Sequence, residues 1–324
     1  MFAKAENGVE ITLADLYKEG KGALQLTLLA GANHLDHKVI ETAVNRPGLA
    51  LTGFYEHFAW ERIQVIGLAE MAYLRTLPPD ERNRKFSALV ERGAYCFIFA
   101  NGQLPTDADI TNAEEKGVVV FCTTMKTRVF ITQAAFILER LTAPRMSVYG
   151  TMVEVDGVGV MIEGDPGLGK SETALGLIKR GNALIADDIT CLRREVANNM
   201  IFATASAATA GYMEIRGIGI VNVARIFGAS AVRKEKRLEL IISLRRLSEI
   251  RESVDRVGGS GRTTKEILGV KLPNIVIPVS AGRDLVNLIE TAVMTYKLEL
   301  SGYDPVNELS EHLRIRAERN THHG

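Results

Sequence analysis

Apolar residues along this 324-residue chain fall into short continuous runs set between longer stretches of mixed character. Leu24 to Ala30 predicts a strand ending at Gly31. Arg62 to Gly67 predicts another, entering a helix over Leu68 to Leu77 that stops at Pro78-Pro79. Tyr95 to Ala100 and Val118 to Cys122 read as buried strands. The helical patch Asp109 to Lys116 between them points to a βαβ unit. Phe130 to Leu141 has helical periodicity and ends near Pro144. That stop marks a boundary, giving domains over 1–141 and 142–324.

Beyond the boundary the chain is strand-rich. Strands are expected over Ser147 to Val155, Val158 to Glu163, Ala183 to Asp187, Gly219 to Val223, Leu238 to Leu244 and Ile275 to Val279. Helices over Leu285 to Leu300 and Val306 to Arg319, joined through Gly302, close the chain. Strands alternating with helices place both halves in the α/β class.

Composition narrows the function only by exclusion. Hydrophobic residues make up 46% and charged residues 24%, ordinary for a chain with a substantial core. Lys plus Arg equals Asp plus Glu at 39 each, so net charge gives no sign of a nucleic-acid partner. Cys96, Cys122 and Cys191 are widely separated, and Met1 to Asp15 holds no apolar leader, which together suggest a reducing cytoplasm. The apolar runs are far shorter than the roughly 20 residues that span a bilayer, so no membrane association is expected.

One segment carries explicit chemistry. Gly164-Asp165-Pro166-Gly167-Leu168-Gly169-Lys170-Ser171 fits the G-x-x-x-x-G-K-[ST] pattern at every fixed position. Glycines let successive N–H groups converge on phosphate oxygens, Lys170 supplies charge to the outer phosphates, and Ser171 offers a hydroxyl to a bridging magnesium ion. The apolar strand before it and the helix Lys170 to Arg180 after it, with Ala174, Leu175 and Ile178 on one face and Gly181 as its stop, complete the required context. Next, Ala183 to Ala186 ends in Asp187-Asp188. If the strand persists, pleating sends the two acids to different sides, one toward a metal and one toward a substrate hydroxyl. Met213 to Ile220 then flanks Ile215 with Glu214 and Arg216 ahead of two glycines. Residue chemistry alone leaves open whether that is a site or an edge-strand ion pair.

The whole chain, from Val9 to Ile315, resembles the HPr kinase/phosphorylase family. Gly157-Val158-Gly159-Val160, Lys170-Ser171-Glu172-Thr173-Ala174-Leu175, Arg180-Gly181 with Ala186-Asp187-Asp188, and Glu214-Ile215-Arg216-Gly217 carry the likeness. So do Asp255-Arg256-Val257-Gly258, Ile277-Pro278-Val279 with Gly282-Arg283, and, in the first domain, Asn45 to Leu51 and Glu61 to Gly67. The resemblance implies a first α/β domain similar to one in peptidoglycan ligases, followed by a P-loop kinase domain. It implies ATP and Mg2+ as cofactors, Gly164 to Ser171 as the nucleotide cradle, and Ser171 and Glu214 as magnesium ligands with Asp188 beside the metal. Lys170 joins the catalytic set. Asp187 would accept the proton when a serine of the phosphocarrier HPr attacks ATP, and would return it when inorganic phosphate attacks the phosphoserine. Arg256 would neutralise the moving phosphoryl group. Met213 to Asn222 would serve both directions, Pro278 to Arg283 would serve dephosphorylation, and the assembly would be a homo-hexamer.

The chain departs from that pattern at definite places. Tyr149 stands where the family has a histidine, and no histidine lies between His57 and His312 to replace it. Asn182 replaces a second histidine, Pro166 a serine and Asp284 an asparagine. Pro278-Val279-Ser280-Ala281 lacks the usual basic residue and second proline. These changes touch the histidine position and the dephosphorylation loop and spare the nucleotide residues, so kinase chemistry is expected to survive better than its reverse. Two other readings share the P-loop: a kinase of the same fold acting on another protein or a small hydroxyl compound, and a module that senses ATP without transferring phosphate.

Overall fold

The computed structural model describes residues 10–247, 262–280 and 282–303, with 308 and 314. The chain divides between Pro144 and Arg145 into two compact units. Among the described residues no helix is long and apolar enough to cross a membrane. Arg256 and, apart from Glu308 and Arg314, the helix expected over Val306 to Arg319 lie outside the described residues.

The first unit contains α1 (Leu13–Ala23), β1 (Thr27–Ala30), β2 (Val44–Asn45), α2 (Gly48–Thr52), β3 (Ile63–Ile66), α3 (Leu68–Arg75), α4 (Pro79–Glu91), β4 (Cys96–Phe99), α5 (Asp107–Lys116), β5 (Val119–Cys122) and α6 (Thr127–Thr142). Its sheet runs β1-β5-β4-β3-β2, parallel except for β1 against β5. Side chains alternate across a strand, and here both faces find apolar cover. Ile63, Val65, Cys96, Ile98, Val119 and Phe121 enter one cluster with Leu13, Leu16 and Phe130 of α1 and α6. Ile66, Phe97, Phe99 and Val120 enter another with Leu74, Phe86, Leu89 and Ala113 of α3, α4 and α5. The expected βαβ unit is present as β4-α5-β5. Pro78-Pro79 stops α3 as expected, but Pro79 also starts α4, because proline's missing N–H costs nothing at the first helical position. The strand expected from Leu24 begins only at Thr27, since Gln25 has a φ of 51°.

The second unit contains β6 (Arg145–Tyr149), β7 (Thr151–Val155), β8 (Val158–Glu163), α7 (Lys170–Lys179), β9 (Ala183–Ala186), β10 (Ile189–Glu195), β11 (Met200–Ala205), β12 (Tyr212–Ile215), β13 (Gly219–Asn222), α8 (Val223–Phe227), β14 (Glu235–Leu238), β15 (Leu240–Arg246), β16 (Arg262–Ile267), β17 (Val270–Val279) and α9 (Leu285–Leu300). A six-stranded mixed sheet runs β16-β17-β15-β8-β7-β9, and a four-stranded antiparallel sheet runs β14-β11-β10-β6. Alternation again fills both faces of the larger sheet. Val153, Val160, Ile162, Leu184 and Ile242 pack with Leu177 and Ile178 of α7 and with Ile289 and Val293 of α9. Met152, Met161, Ile185 and Ile241 pack against Val148, Leu192, Ile201 and Leu238 of the smaller sheet.

The single strand expected over Ser147 to Val155 is broken at Gly150, and its halves belong to different sheets. Tyr149 pairs with Ile189 in the smaller sheet, whereas Thr151 pairs with Ile162 in the larger. At the corner the Gly150 N–H donates to the Asp188 carbonyl (2.9 Å), and a Cβ there would stand 3.1 Å from the Ile162 carbonyl oxygen.

Candidate active site

The glycine loop grows out of β8, whose register against β15 ends at Ser243 opposite Glu163. At Gly164 the backbone turns with a φ of 152°, and a Cβ there would lie 2.8 Å from the Leu244 carbonyl oxygen. Only glycine leaves the strand by that route. Gly167 and Gly169 both sit at φ 83°, and space beside Gly167 is open. Buried Leu168 pins the crest to the core while Asp165 and Pro166 face outward. Lys170 bridges its own loop, donating to the carbonyls of Gly164 (2.9 Å) and Asp165 (3.2 Å). Helix α7 starts directly after Gly169 and aims its free N–H groups into the loop. As expected, Ala174 and Ile178 are buried, with Leu175 partly so.

The two acids are separated by a turn and not by the pleat expected from a persisting strand. β9 ends at Ala186. Asp188 then takes a φ of 61°, inside a tight turn closed by the Ile189 N–H on the Asp187 carbonyl (2.7 Å). Such turns are rare and strained for a non-glycine residue. The consequence is one buried acid, Asp187, and one exposed acid, Asp188. Asp187 meets the loop directly: Ser171 donates to its Oδ1 at 3.0 Å. Thr151 also donates to Oδ1 (2.8 Å), and the Glu214 N–H reaches Oδ2 (3.3 Å).

Of the residues singled out from sequence, Gly164 to Ser171 and Asp187 come together. Glu214 touches this cluster through its backbone, and its side chain is exposed on β12. Asp188 borders the cluster from the turn. Tyr149 is 65% exposed at the end of β6, opposite Ile189. Glu214 and Arg216 are not an edge-strand ion pair among the described residues. They lie on a β12-β13 hairpin whose Met213, Ile215 and Val221 enter the core, while Ile218 (73%) and Ile220 (76%) are exposed. Gly217 and Gly219, at φ 83° and 98°, shape its turn.

Among the described residues no three His, Cys, Asp or Glu side chains gather in a metal-holding group. Magnesium at a phosphate site asks for less: hard oxygen ligands, one or two carboxylates, and the phosphates themselves. The Ser171 hydroxyl, with the exposed carboxylates of Asp188 and Glu214 bordering the cluster, offers oxygens of that kind.

Two departures acquire structural work. Asn182 accepts from the Asp156 N–H (3.1 Å) and donates to the Leu177 carbonyl (3.1 Å), closing the end of α7. Asp284 caps α9 by accepting from the Asn287 N–H (3.1 Å), and Arg180 stands 3.8 Å away. In the 278–283 stretch, Arg283 donates to the Pro278 carbonyl (3.0 Å).

Sequence reading missed Thr151 and a second polar group. Glu163, immediately before the loop, contacts both Lys265 of β16 and the hydroxyl of Ser243. Ser243 also reaches Asn274 (2.7 Å), which donates to Thr263 (2.8 Å). The available signal was a polar residue inside an otherwise apolar strand: Thr151 opens β7, and Ser243 interrupts Leu240 to Leu244.

Comparison with known proteins agrees along nearly the whole chain. Residues 140–313 match the family model described as the HPr Serine kinase C-terminal domain, and residues 11–138 match the HPr Serine kinase N terminus. An HPr kinase/phosphorylase of Leptospira biflexa is 39% identical over 290 residues, 90% of each chain. That of Lactiplantibacillus plantarum is 37% identical over 315 residues, 97% of this chain and 98% of its own. A solved structure of the Hpr(Ser) kinase/phosphatase from Coxiella burnetii is 35% identical, covering 51% of this chain and 99% of its own with a TM-score of 0.45. With both halves matched in order by one family's two models, this chain belongs to the HPr serine kinase family.

Proposed function

We propose that this protein uses ATP and magnesium to phosphorylate a serine of the phosphocarrier protein HPr, and that it removes the phosphate again, more slowly, by phosphorolysis, in carbon catabolite regulation. The observation that carries the reading is the Ser171–Asp187 hydrogen bond of 3.0 Å, which sets a buried carboxylate against the first turn of α7. On this reading Gly164 to Ser171 is a P-loop. Its N–H groups hold the β- and γ-phosphates, and Lys170 exchanges its loop carbonyls for phosphate oxygens. Magnesium would be held by Ser171, with Glu214 and Asp188 at the rim, and supplies charge neutralisation for the phosphates. Asp187 takes the proton of the serine hydroxyl as its oxygen bonds to the γ-phosphorus and ADP departs. In reverse, inorganic phosphate attacks the phosphoserine and Asp187 returns the proton, as microscopic reversibility requires. Arg256 is assigned to the charge of the moving group.

The hairpin Met213 to Asn222 borders Asp187 through Glu214, which supports its use in both directions. Tyr149 lies at the rim, and a phenol never carries positive charge as a histidine can. The forward reaction, whose cradle and base are complete, therefore outruns the reverse. The first unit, a largely parallel sheet covered on both faces, is read as an α/β domain of the peptidoglycan-ligase type, and the whole as a cytoplasmic homo-hexamer.

Purified protein incubated with γ-labelled ATP, magnesium and HPr tests the reading. Label on an HPr serine is expected, and absence of label there sinks it. Tyr149→His is expected to raise phosphate-dependent removal by on the order of 10² while forward transfer changes little. Removal as efficient as addition in the unmodified protein would contradict the assigned imbalance.

A further inference from the structure

The Asp187 carboxylate is held unevenly. Oδ1 accepts two hydroxyl hydrogens, from Thr151 (2.8 Å) and Ser171 (3.0 Å), whereas Oδ2 accepts one longer bond from the Glu214 N–H (3.3 Å). A carboxylate oxygen has two lone-pair sites. Oδ1 is therefore full and Oδ2 keeps one site open.

The two hydroxyls differ in their anchorage. Ser171 stands in the first turn of α7, on the loop read as receiving the nucleotide. Thr151 is fully buried at the head of β7, paired with Ile162. Next to it, Gly150 donates its N–H to the Asp188 carbonyl (2.9 Å) and accepts from the Thr190 hydroxyl (2.8 Å). The corner from Tyr149 to Thr151 thus grips the Asp187-Asp188 turn through its backbone and through the Asp187 side chain. Of the two hydroxyl donors, Thr151 is the one with a sheet behind it.

We infer that Thr151 is a positioning residue for the phosphoryl transfer: its hydroxyl fixes Asp187 Oδ1 and leaves Oδ2 as the oxygen that exchanges a proton with the substrate hydroxyl. This rests on the reading of Asp187 as the base. In the forward step the serine oxygen bonds to the γ-phosphorus, the bond from that phosphorus to the bridging oxygen of ADP breaks, and the serine proton moves to Oδ2. In the reverse step a phosphate oxygen bonds to the same phosphorus, the serine–phosphorus bond breaks, and the Oδ2 proton returns to the serine oxygen. Without the Thr151 donor the carboxylate swings about its terminal torsion, and a misplacement of about 1 Å costs on the order of 10²-fold in rate.

The test compares Thr151→Val, Thr151→Ala, Thr151→Ser and Asp187→Asn in HPr phosphorylation, with kcat and the KM for ATP and for HPr measured separately. Valine keeps the shape and removes the hydroxyl, so kcat falls about 10- to 100-fold with each KM within about twofold. Serine keeps the hydroxyl and restores kcat to within about threefold. Alanine repeats the loss if the valine variant fails to fold, and an unchanged urea midpoint identifies the folded variants. The inference is overturned by undiminished kcat in folded valine or alanine variants, by equal losses in the serine and valine variants, or by a rise in KM for ATP alone. Retained activity in Asp187→Asn instead removes the base reading itself.

Discussion

Each unit buries carboxylates, and their partners differ in kind. In the first unit Glu70 faces a cation: Arg46 reaches both of its oxygens (3.1 and 2.9 Å), and the Gly67 N–H adds a third bond (2.9 Å). Asp109 closes a capping box with Thr106, accepting from its N–H (3.0 Å) and its hydroxyl (2.7 Å). Both carboxylates tie down the start of their own helix, α3 for Glu70 and α5 for Asp109. In the second unit Asp187 has no cation against it among the described residues; it has two hydroxyls and one long backbone bond. Burying an ionisable group without a countercharge is costly, and such groups persist where chemistry needs them. Asp187 has neither the cation of Glu70 nor the local capping box of Asp109, and its partners come from three separate elements, β7, α7 and β12.

The strongest way to break this comparison is Asp187→Asn. It is expected to lower kcat for HPr phosphorylation by on the order of 10³, within the usual span for a catalytic acid or base, while the urea midpoint moves little. A large loss of stability with modest loss of rate would make Asp187 a structural acid like Glu70. The reciprocal change, Glu70→Gln, deprives Arg46 of its charged partner. Arg46 is half-exposed, so the cost is about 2 kcal/mol, read as a lower denaturation midpoint with transfer activity per folded molecule retained. An unchanged midpoint would show that Glu70 is idle.

The smallest effect lies in an exposed acid. The Thr12 N–H and hydroxyl hold the Asp15 carboxyl below its ordinary value as it caps α1. A depressed folded value means the stabilisation is present above the unfolded value near 4 and fades as pH falls through the folded one. Asp15→Asn should therefore cost about 0.5–1 kcal/mol at pH 7, and the gap to the unmodified protein should close on acidification. A gap that widens in acid would reverse the assignment.

Much of this fold was legible because its signals are local. The strands Ile63–Ile66, Cys96–Phe99, Val119–Cys122 and Val158–Glu163 are near-continuous apolar runs, as strands buried on both faces must be. Proline and glycine marked their ends. What escaped were elements without such a pattern. α1 carries two glycines, Gly20 and Gly22, which lower its helix propensity and blur its signal. The β10-β11 hairpin alternates weakly and carries Arg193 and Arg194 on one strand. The break at Gly150 was invisible because it follows from which strand lies opposite, not from the residues flanking it.

The sequence by itself determined the glycine loop from Gly164 to Ser171, since loop, helix start and flanking strand depend on backbone conformations that neighbouring residues dictate. It also determined that an acid follows at Asp187. Only the tertiary structure decided which acid is buried and what holds it. Thr151, Ser171 and Glu214 stand 36, 16 and 27 positions from Asp187 in the chain. Their meeting is set by sheet register and by a strained turn at Asp188, and hydrogen bonds between distant strands leave no periodicity in the sequence to be read.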